Sequence, residues 1–431
     1  MRGFKRILMG CLLATVATAM PAWATGLTAF HDADVAVAWF DLLYDAIQTE
    51  RLSPPVASRL IGYQGVALYE SLVPGMYGRR QLTGQLNGLD GSGPRWVPGA
   101  HWPSVANAAM ARMMRATFAS ASAPTLAAID ALEQEIEGRF ARVPARFKAL
   151  SVTHGRETAD RILAWAATDG FATVNNCPYT PPVGEGLWEP TPPLSRPALQ
   201  PCWGDLRPFV LTSGSECSPP PPPAFSTEIG SAFRAEAQEV YDVTTQMTDG
   251  QEAIALFWSD DPGNTGTPPG HWTSIVGQVA ASRRFSLARA AEAYARVGLA
   301  VADAFIASWD AKYTHNLLRP VTYINDVIDP AWSPLLSTPP FPEYTSGHST
   351  QSAAAAFQLT DMLGRLAFVD DTHEARGLRP RFFRSFGVAA REAAVSRLYG
   401  GIHYRAAIEK GLEQGECIGR AIRRRVQFSR N

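Results

Sequence analysis

A proline-rich stretch divides the chain and limits the folds that it can adopt. Residues 177–225 contain fourteen prolines, and five of them stand in a row at 219–223. Proline lacks a backbone N–H and clashes with a preceding helical turn, so this stretch forms neither a regular helix nor a central strand. It also contains Trp188, Trp203 and Phe209, which a solvated linker would not need. We therefore expect an ordered excursion that lies against a folded body, with a flexible linker between domains as the alternative.

Both flanks of this stretch have the periodicity of helices. Apolar residues recur at steps of three and four, as in Val35, Trp39, Leu42 and Ile47, and almost no segment alternates as a strand would. The sequence predicts an all-α fold. The predicted helices cover 32–72 with a break at 54–55, 102–118, 124–140, 150–169, 231–243, 249–258, 272–279, 285–318, 349–363, 381–398 and 403–426.

The composition of the 431 residues is that of a globular protein. Hydrophobic residues make up 46% and charged residues 18%, which excludes a disordered or collagen-like chain. The formal net charge is −1, and a nucleic-acid-binding protein would normally have a clear basic excess. We therefore expect no nucleic-acid partner, and the oligomeric state stays open.

The first 24 residues resemble an export signal. Arg2, Lys5 and Arg6 precede an uncharged apolar run over 7–20, and Ala22-Trp23-Ala24 is a small-residue cleavage site. A membrane anchor is the alternative, but the run is shorter than the roughly 20 residues that span a bilayer. We expect a signal peptide at 1–24, a periplasmic or secreted protein, and no membrane span after cleavage.

The mature chain, 25–431, is expected to be a single large helical domain. Its N-terminal part would cover 25–230 and its catalytic part 231–431. Four cysteines remain after cleavage, namely Cys177, Cys202, Cys217 and Cys417. An oxidising compartment favours disulfides, but four cysteines allow three pairings and the sequence does not choose among them.

Three clusters in the last third of the chain carry groups suited to chemistry. In the first, Lys312 and Arg319 are seven residues apart, and Pro320 follows. This spacing is close to two helical turns, so both cations are expected on one helix face, with Pro320 ending the helix. Two such cations suit an oxyanion, although a solvated basic face is the alternative.

The second cluster, Ser346-Gly347-His348, stands where a proline-rich loop meets an alanine-rich segment. A helix N-terminus presents free N–H groups to an anion, and a histidine transfers protons near neutral pH. In the third cluster, Arg397 precedes a Gly-Gly turn and His403. A neutral imidazole there is a nucleophile or a metal ligand. The alternatives are a serine N-cap with an incidental histidine in the second cluster and a core histidine that caps a helix in the third.

Together the clusters resemble the signature K-x6-R-P, P-S-G-H, S-R-x5-H of vanadium-dependent haloperoxidases and type-2 phosphatidic-acid phosphatases, which include bacterial acid phosphatases. Thr345 stands where the usual proline precedes Ser-Gly-His. The resemblance covers 312–403 and implies the helical bundle of this superfamily. The length of the chain favours the haloperoxidase branch, as does Trp309, which matches an aromatic residue near the oxyanion in that branch.

Further features of this branch concern Asp261 and Ala355. The segment Phe257-Trp258-Ser-Asp-Asp261 resembles one whose aspartate pairs with the motif arginine, a role that falls to Asp261 with Asp260 as the competitor. Ala355 occupies a position that is histidine in bromoperoxidases of the family.

The resemblance implies vanadate as the cofactor, bonded through vanadium to a ring nitrogen of His403. Lys312, Arg319 and Arg397 would neutralise its oxygens, helped by Ser346 and Gly347. His348 would take a proton from hydrogen peroxide, and Lys312 would add polarisation. The substrates would be hydrogen peroxide, a halide and a small organic acceptor, and the product hypohalous acid.

Two alternatives remain at this point. The same residues support hydrolysis of a phosphomonoester through a phosphohistidine at His403, with His348 as the acid and no bound cofactor. The chain could also be a non-catalytic helical scaffold, which the complete set of motif residues argues against. Outside the motifs, five histidines have no evident supporting group, namely His31, His101, His154, His271 and His373.

Overall fold

Helices form most of the chain in the computed structural model, which describes residues 27–430. The expected signal peptide at 1–24 lies outside the described residues. The helices are α1 (Asp34–Thr49), α2 (Pro54–Leu72), α3 (Trp102–Thr117), α4 (Ala123–Arg139), α5 (Ala145–Ala166), α6 (Phe171–Val174), α7 (Ala232–Thr245), α8 (Asp249–Phe257), α9 (Thr267–Ser282), α10 (Leu287–His315), α11 (Pro320–Val327), α12 (Gly347–Leu363), α13 (Phe386–Tyr399) and α14 (Arg405–Arg425). The all-α prediction is confirmed.

The long helix α10 is the centre of the fold. It is buried on nearly all sides, as expected of a helix that other helices surround. It packs along α2 and α12. The backbones of α2 and α10 approach closely at Gly65 of α2. A Cβ at this position would lie only 2.7 Å from the carbonyl oxygen of Tyr294 on α10. Helix α10 therefore connects the N-terminal helices with those that carry the motifs.

The proline-rich excursion, residues 177–225, is ordered against this body, as predicted. It contains two short 3₁₀ turns, at Trp203–Asp205 and Gly214–Cys217, and no α-helix. The side chains of Trp188, Trp203 and Phe209 are almost fully buried. The carboxylate of Asp303 on α10 accepts three consecutive backbone N–H groups, from Phe209 at 2.7 Å and from Val210 and Leu211 at 2.9 Å. These bonds hold the excursion to α10 by its backbone.

Two disulfides select one of the three possible pairings. Cys177 pairs with Cys202 inside the excursion. Cys217 pairs with Cys417, across a sequence separation of 200 residues. The second bond ties the end of the excursion to α14. The cysteines are therefore structural.

Two predicted elements are corrected. The helix expected over 381–398 begins only at Phe386, because Arg381–Phe383 forms a strand, β2, that pairs antiparallel with β1 (Phe368–Asp370). Pro320 does not end a helix but begins α11. Helix α10 already ends at His315, where Asn316 adopts a left-handed backbone with φ of 47°. Proline is favoured in the first turn of a helix because its missing N–H has no helical partner there.

Residues 27–430 contain no helix that combines the length and the apolar character required to cross a bilayer. A continuous hydrophobic core includes residues from Ala33 to Phe428. The three motifs lie beside this core, at helix ends.

Candidate active site

The three clusters converge because the ends of five helices meet. These are the C-terminal end of α10, the N-terminal ends of α11 and α12, and the turn between α13 and α14. Lys312 lies in the last turn of α10, while Arg319 is the N-cap residue of α11. The expectation that both cations share one helix face is therefore wrong. The irregular turn between the two helices, not helical periodicity, brings them together.

A cavity of about 250 Å³ lies at this junction. Five of the predicted site residues line it, namely Asp261, Gly347, His348, Arg397 and His403. The other three, Lys312, Arg319 and Ser346, are wholly buried behind its wall. Trp309 and Phe341 form an aromatic part of the lining, and Arg51 and Arg196 are exposed cations at its edge.

Lys312 is occupied by the loop that leads into α12. Its Nζ donates to the carbonyl oxygens of Pro342 and Glu343 at 3.0 and 2.9 Å and to that of Thr345 at 2.5 Å. An ammonium group has three N–H donors, and all three are used here. Burial, with the charge of Arg319, holds the pKa of Lys312 well below its usual range. Lys312 therefore fixes the shape of the loop.

The two arginines have unused donors. Arg319 Nη1 donates to the carbonyl of Ile402 at 2.7 Å, and Arg397 Nη1 donates to that of Trp258 at 2.8 Å. Arg319 Nη2 and Arg397 Nε are buried and have no hydrogen-bond partner. Burial lowers the pKa of each guanidinium to about 10, so both remain charged at neutral pH. Buried unpaired donors on cations favour an anion.

His403 is oriented by a residue that the sequence did not single out, Glu343. The Nδ1 of His403 lies 2.7 Å from Glu343 Oε1, which also accepts the N–H of Tyr404 at 2.9 Å. Arg319 Nη1 lies 3.3 Å from His403 Nε2. Burial lowers the pKa of His403 well below its usual range, and the charges of Arg319 and Lys312 add to this. These charges favour a neutral His403, in which Nδ1 donates to Glu343 and Nε2 faces Arg319 Nη1.

His348 stands in the first turn of α12, behind Ser346. The Ser346 hydroxyl caps this helix by accepting the N–H of Ser349 at 3.3 Å. The His348 ring hydrogen-bonds the carbonyl of Trp258, and its buried Nε2 has no partner. Burial, with the charge of Arg397, holds the pKa of His348 well below its usual range. A neutral imidazole with a free Nε2 at a cavity is able to accept a proton.

Asp260 and Asp261 both line the cavity, but their carboxylates have different surroundings. Asp261 lines the cavity, and its charge acts on Arg397, although no ion pair within 4.0 Å joins these two side chains in the described chain. Burial raises the pKa of Asp261, and Arg397 opposes this. Asp260 points its carboxylate to His271, whose Nδ1 lies 2.9 Å from Asp260 Oδ2.

The second histidine group was missed by sequence reasoning. Asp260, His271, Asp370 and His373 form what we call the carboxylate–histidine centre. His271 lies between two carboxylates, since its Nε2 is 2.8 Å from Asp370 Oδ2. Burial lowers the pKa of His271, but Asp260 and Asp370 outweigh it and raise that pKa to about 10. The expectation that His271 and His373 lack a supporting group is therefore wrong.

We call the set of Arg319, Glu343, His348, Arg397 and His403 the oxyanion centre. It combines buried cations with unpaired donors and two neutral imidazoles around a small cavity. Tetrahedral vanadate or phosphate fits this donor set, because its oxygens accept N–H bonds and His403 Nε2 offers a ligand for the central atom. Fold and site thus define a mostly helical protein whose cavity is suited to an oxyanion.

Comparisons with known proteins specify this class. Residues 292–330 and 325–431 match the model of the second helical-bundle domain of vanadium chloroperoxidase. A stretch of 141 residues is 33% identical to the vanadium chloroperoxidase of Curvularia inaequalis, covering 27% of this chain and 23% of that protein. The matched part is thus less than a quarter of that relative's length.

Two solved structures match over most of the chain. A bacterial vanadium-dependent iodoperoxidase superposes with a TM-score of 0.86 and 37% identity, covering 93% of this chain and 98% of its own. A bacterial vanadium-dependent chloroperoxidase in its holo form shares the fold, with a TM-score of 0.66 and 16% identity over 86% of this chain and 92% of its own. The chain belongs to the vanadium-dependent haloperoxidases, which are peroxidase enzymes.

Proposed function

We propose that this protein oxidises a halide with hydrogen peroxide to hypohalous acid, that vanadate bound at His403 is its cofactor, and that iodide is its preferred halide. One observation carries the proposal: the Nδ1 of His403 lies 2.7 Å from Glu343 Oε1, and its Nε2 lies 3.3 Å from Arg319 Nη1 at the cavity. A metal-bound histidine commonly has this second hydrogen bond to a carboxylate. The choice of iodide is supported by the 37% identity to an iodoperoxidase.

The residues would divide the work as follows. His403 Nε2 would bind the vanadium, and Arg397 and Arg319 would hold the oxygens of vanadate with their unpaired N–H groups. Gly347, at the first position of α12, lets the oxygens approach the helix N-terminus. Bound vanadate supplies Lewis-acid activation of hydrogen peroxide without a change in the oxidation state of vanadium.

His348 would move the proton. Its free Nε2 accepts a proton from hydrogen peroxide and returns it to the oxygen that leaves as water, so that hydrogen peroxide, halide and one proton give hypohalous acid and water. Hypohalous acid then passes to a small organic acceptor. The exposed Arg51 and Arg196 at the edge of the cavity attract the halide.

The proposal also includes export of the protein from the cytoplasm. The segment 1–24 would direct the chain to the periplasm or the medium, and the two disulfides are of the kind that such compartments maintain. Comparing intact mass before and after secretion from a host cell tests this, since loss of 24 residues is expected.

The test of the activity uses mature protein prepared without phosphate. Oxidation of iodide, bromide and chloride by hydrogen peroxide is measured before and after orthovanadate is added. We expect activity only with vanadate, and iodide as the fastest halide. Tight vanadate uptake with no halide oxidation, together with phosphomonoester hydrolysis that vanadate inhibits, would instead establish the phosphatase. His403→Ala is expected to abolish activity in both cases.

A further inference from the structure

The carboxylate–histidine centre has no part in the proposed halide oxidation, yet four buried ionisable side chains meet in it. The side chains of Asp260, His271, Asp370 and His373 are at most 1% exposed. They come from the loop after α8, from α9, from the end of β1 and from the turn that follows β1. Burial of four ionisable groups is costly unless every one is paired or binds an ion.

His373 has one charged contact in this centre. Its Nε2 lies 3.1 Å from Asp260 Oδ1, which is the distance of an ion pair. Its Nδ1 is buried and has no hydrogen-bond partner. Adjacent ligands of a single cation are found at distances such as that between His373 Nε2 and Asp260 Oδ1.

The composition of the centre also favours a cation, because Asp260 and Asp370 place two carboxylates on either side of His271.

We propose that Asp260, His271 and His373 bind a structural divalent cation of the Zn²⁺ class. Their ligand atoms, one from each residue, lie within 4.8 Å of one another. Imidazole nitrogen and carboxylate oxygen are zinc ligands, and Asp260 offers both of its oxygens. Asp370 is the supporting residue, because its Oδ2 holds the far nitrogen of His271 and its Oδ1 accepts the hydroxyl of Thr372 at 2.7 Å.

The cation would stabilise the segment 258–261, which both centres share. The Trp258 ring stacks on His271 at 4.4 Å. The Trp258 carbonyl accepts a hydrogen bond from Arg397 Nη1, and the His348 ring is hydrogen-bonded to the same carbonyl. A bound cation at Asp260 would therefore fix the chain that positions two residues of the oxyanion centre. Asp260 lines the cavity, but His271, Asp370 and His373 do not, so we assign the cation a structural role and no part in the reaction.

The first experiment uses the tag-free mature protein, purified without chelator and without vanadate. Elemental analysis is expected to find about one zinc per chain. Treatment with a chelator is expected to remove it and to lower the melting temperature by several degrees, because the ion stabilises only the folded state. Adding Zn²⁺ should restore the zinc content and the melting temperature. Adding Co²⁺ should give the visible absorption band of a tetrahedral site.

Variants locate the ion. His373→Ala and Asp260→Asn are expected to hold less than about a tenth of the wild-type zinc. His154→Ala is the matched control, because His154 is also buried and lies on α5 with a bond to the carbonyl of Ser71. His403→Ala is the control for zinc in the oxyanion centre. Both controls should keep one zinc per chain.

Two results would overturn the proposal. One is wild-type protein that contains no zinc and whose melting temperature and Co²⁺ spectrum do not respond to added metal. The other is zinc that His403→Ala loses and His373→Ala keeps. The wild-type measurements need no variant to fold, so a misfolded variant does not prevent a decision.

Discussion

The two histidine centres differ in the charge of their neighbours, although His403 and His271 are both buried. In the oxyanion centre, His403 is surrounded by cations, and its pKa is well below the usual range. In the carboxylate–histidine centre, carboxylates on both sides of His271 raise its pKa to about 10 in spite of burial. Burial alone therefore does not set the state of a histidine. The neighbouring charges decide which ion each centre is able to bind.

The largest effect is expected from His403→Ala. Loss of Nε2 removes the only bond to vanadium that the proposal assigns, so vanadate affinity and kcat/KM should both fall, the latter by more than about 10³-fold. Vanadate-dependent halide oxidation and equilibrium dialysis measure the two quantities. His315→Ala is the control, since His315 is half-buried against Tyr344 and does not line the cavity. A His403→Ala enzyme that keeps a few per cent of wild-type turnover would remove the basis of the site.

His348→Ala should separate binding from proton transfer. We expect turnover to fall by roughly 10²–10³-fold, because a positioned proton acceptor contributes about this much. Vanadate affinity should change little, since His348 offers no bond to vanadium. Dialysis and single-halide kinetics on the same preparation decide the point. Affinity reduced as strongly as in His403→Ala would refute the separate roles.

Glu343→Ala should weaken vanadate binding by about 10- to 100-fold, the usual cost of losing a residue that orients a metal ligand. Glu343→Gln should be milder, because its amide oxygen still accepts from His403 Nδ1 and from the N–H of Tyr404. ¹⁵N NMR of the imidazole gives a second readout, namely whether the Nδ1 proton remains in place. An unchanged tautomer and unchanged affinity in Glu343→Ala would show that Glu343 only fills space.

The smallest effect tests whether the two centres communicate. Asp260→Asn should raise the dissociation constant for vanadate by less than about tenfold, through movement of the segment 258–261. Asp370→Asn is the matched control, because it disturbs the same centre from outside that segment. We expect a smaller change in vanadate affinity from it. Equal changes in the two variants would mean that coupling does not pass through residues 258–261.

The sequence predicted the fold class and the residues that meet at the cavity, because both depend on local information. Helical periodicity is local, and the three clusters have fixed spacing. The reason given for Lys312 and Arg319 was wrong, since the helix between them ends at His315. Spacing alone does not show where a helix ends when the next residue, here Asn316, is not a glycine.

What the sequence did not reveal lies between residues far apart in the chain. Glu343 and His403 are separated by 60 residues, and His271 and Asp370 by 99. Glu343 looks like an ordinary loop residue, and His271 looks like a core histidine. A signal was present in the Asp260-Asp261 pair, because two adjacent acids beside a buried tryptophan need different partners. Only the fold shows that the charge of Asp261 acts on Arg397 and that Asp260 contacts His271.

The attachment of the proline-rich excursion has a consequence for how such enzymes diversify. Asp303 holds it through backbone N–H groups, and the carbonyl of Leu199 accepts the indole of Trp309 at 3.2 Å and the hydroxyl of Tyr313 at 2.8 Å. These attachments do not depend on which side chains the excursion carries. Substitutions at Arg196 and its exposed neighbours at the edge of the cavity are therefore expected to leave the backbone of the excursion in place. The range of accepted substrates is able to change there without disturbing the helices that position the oxyanion centre.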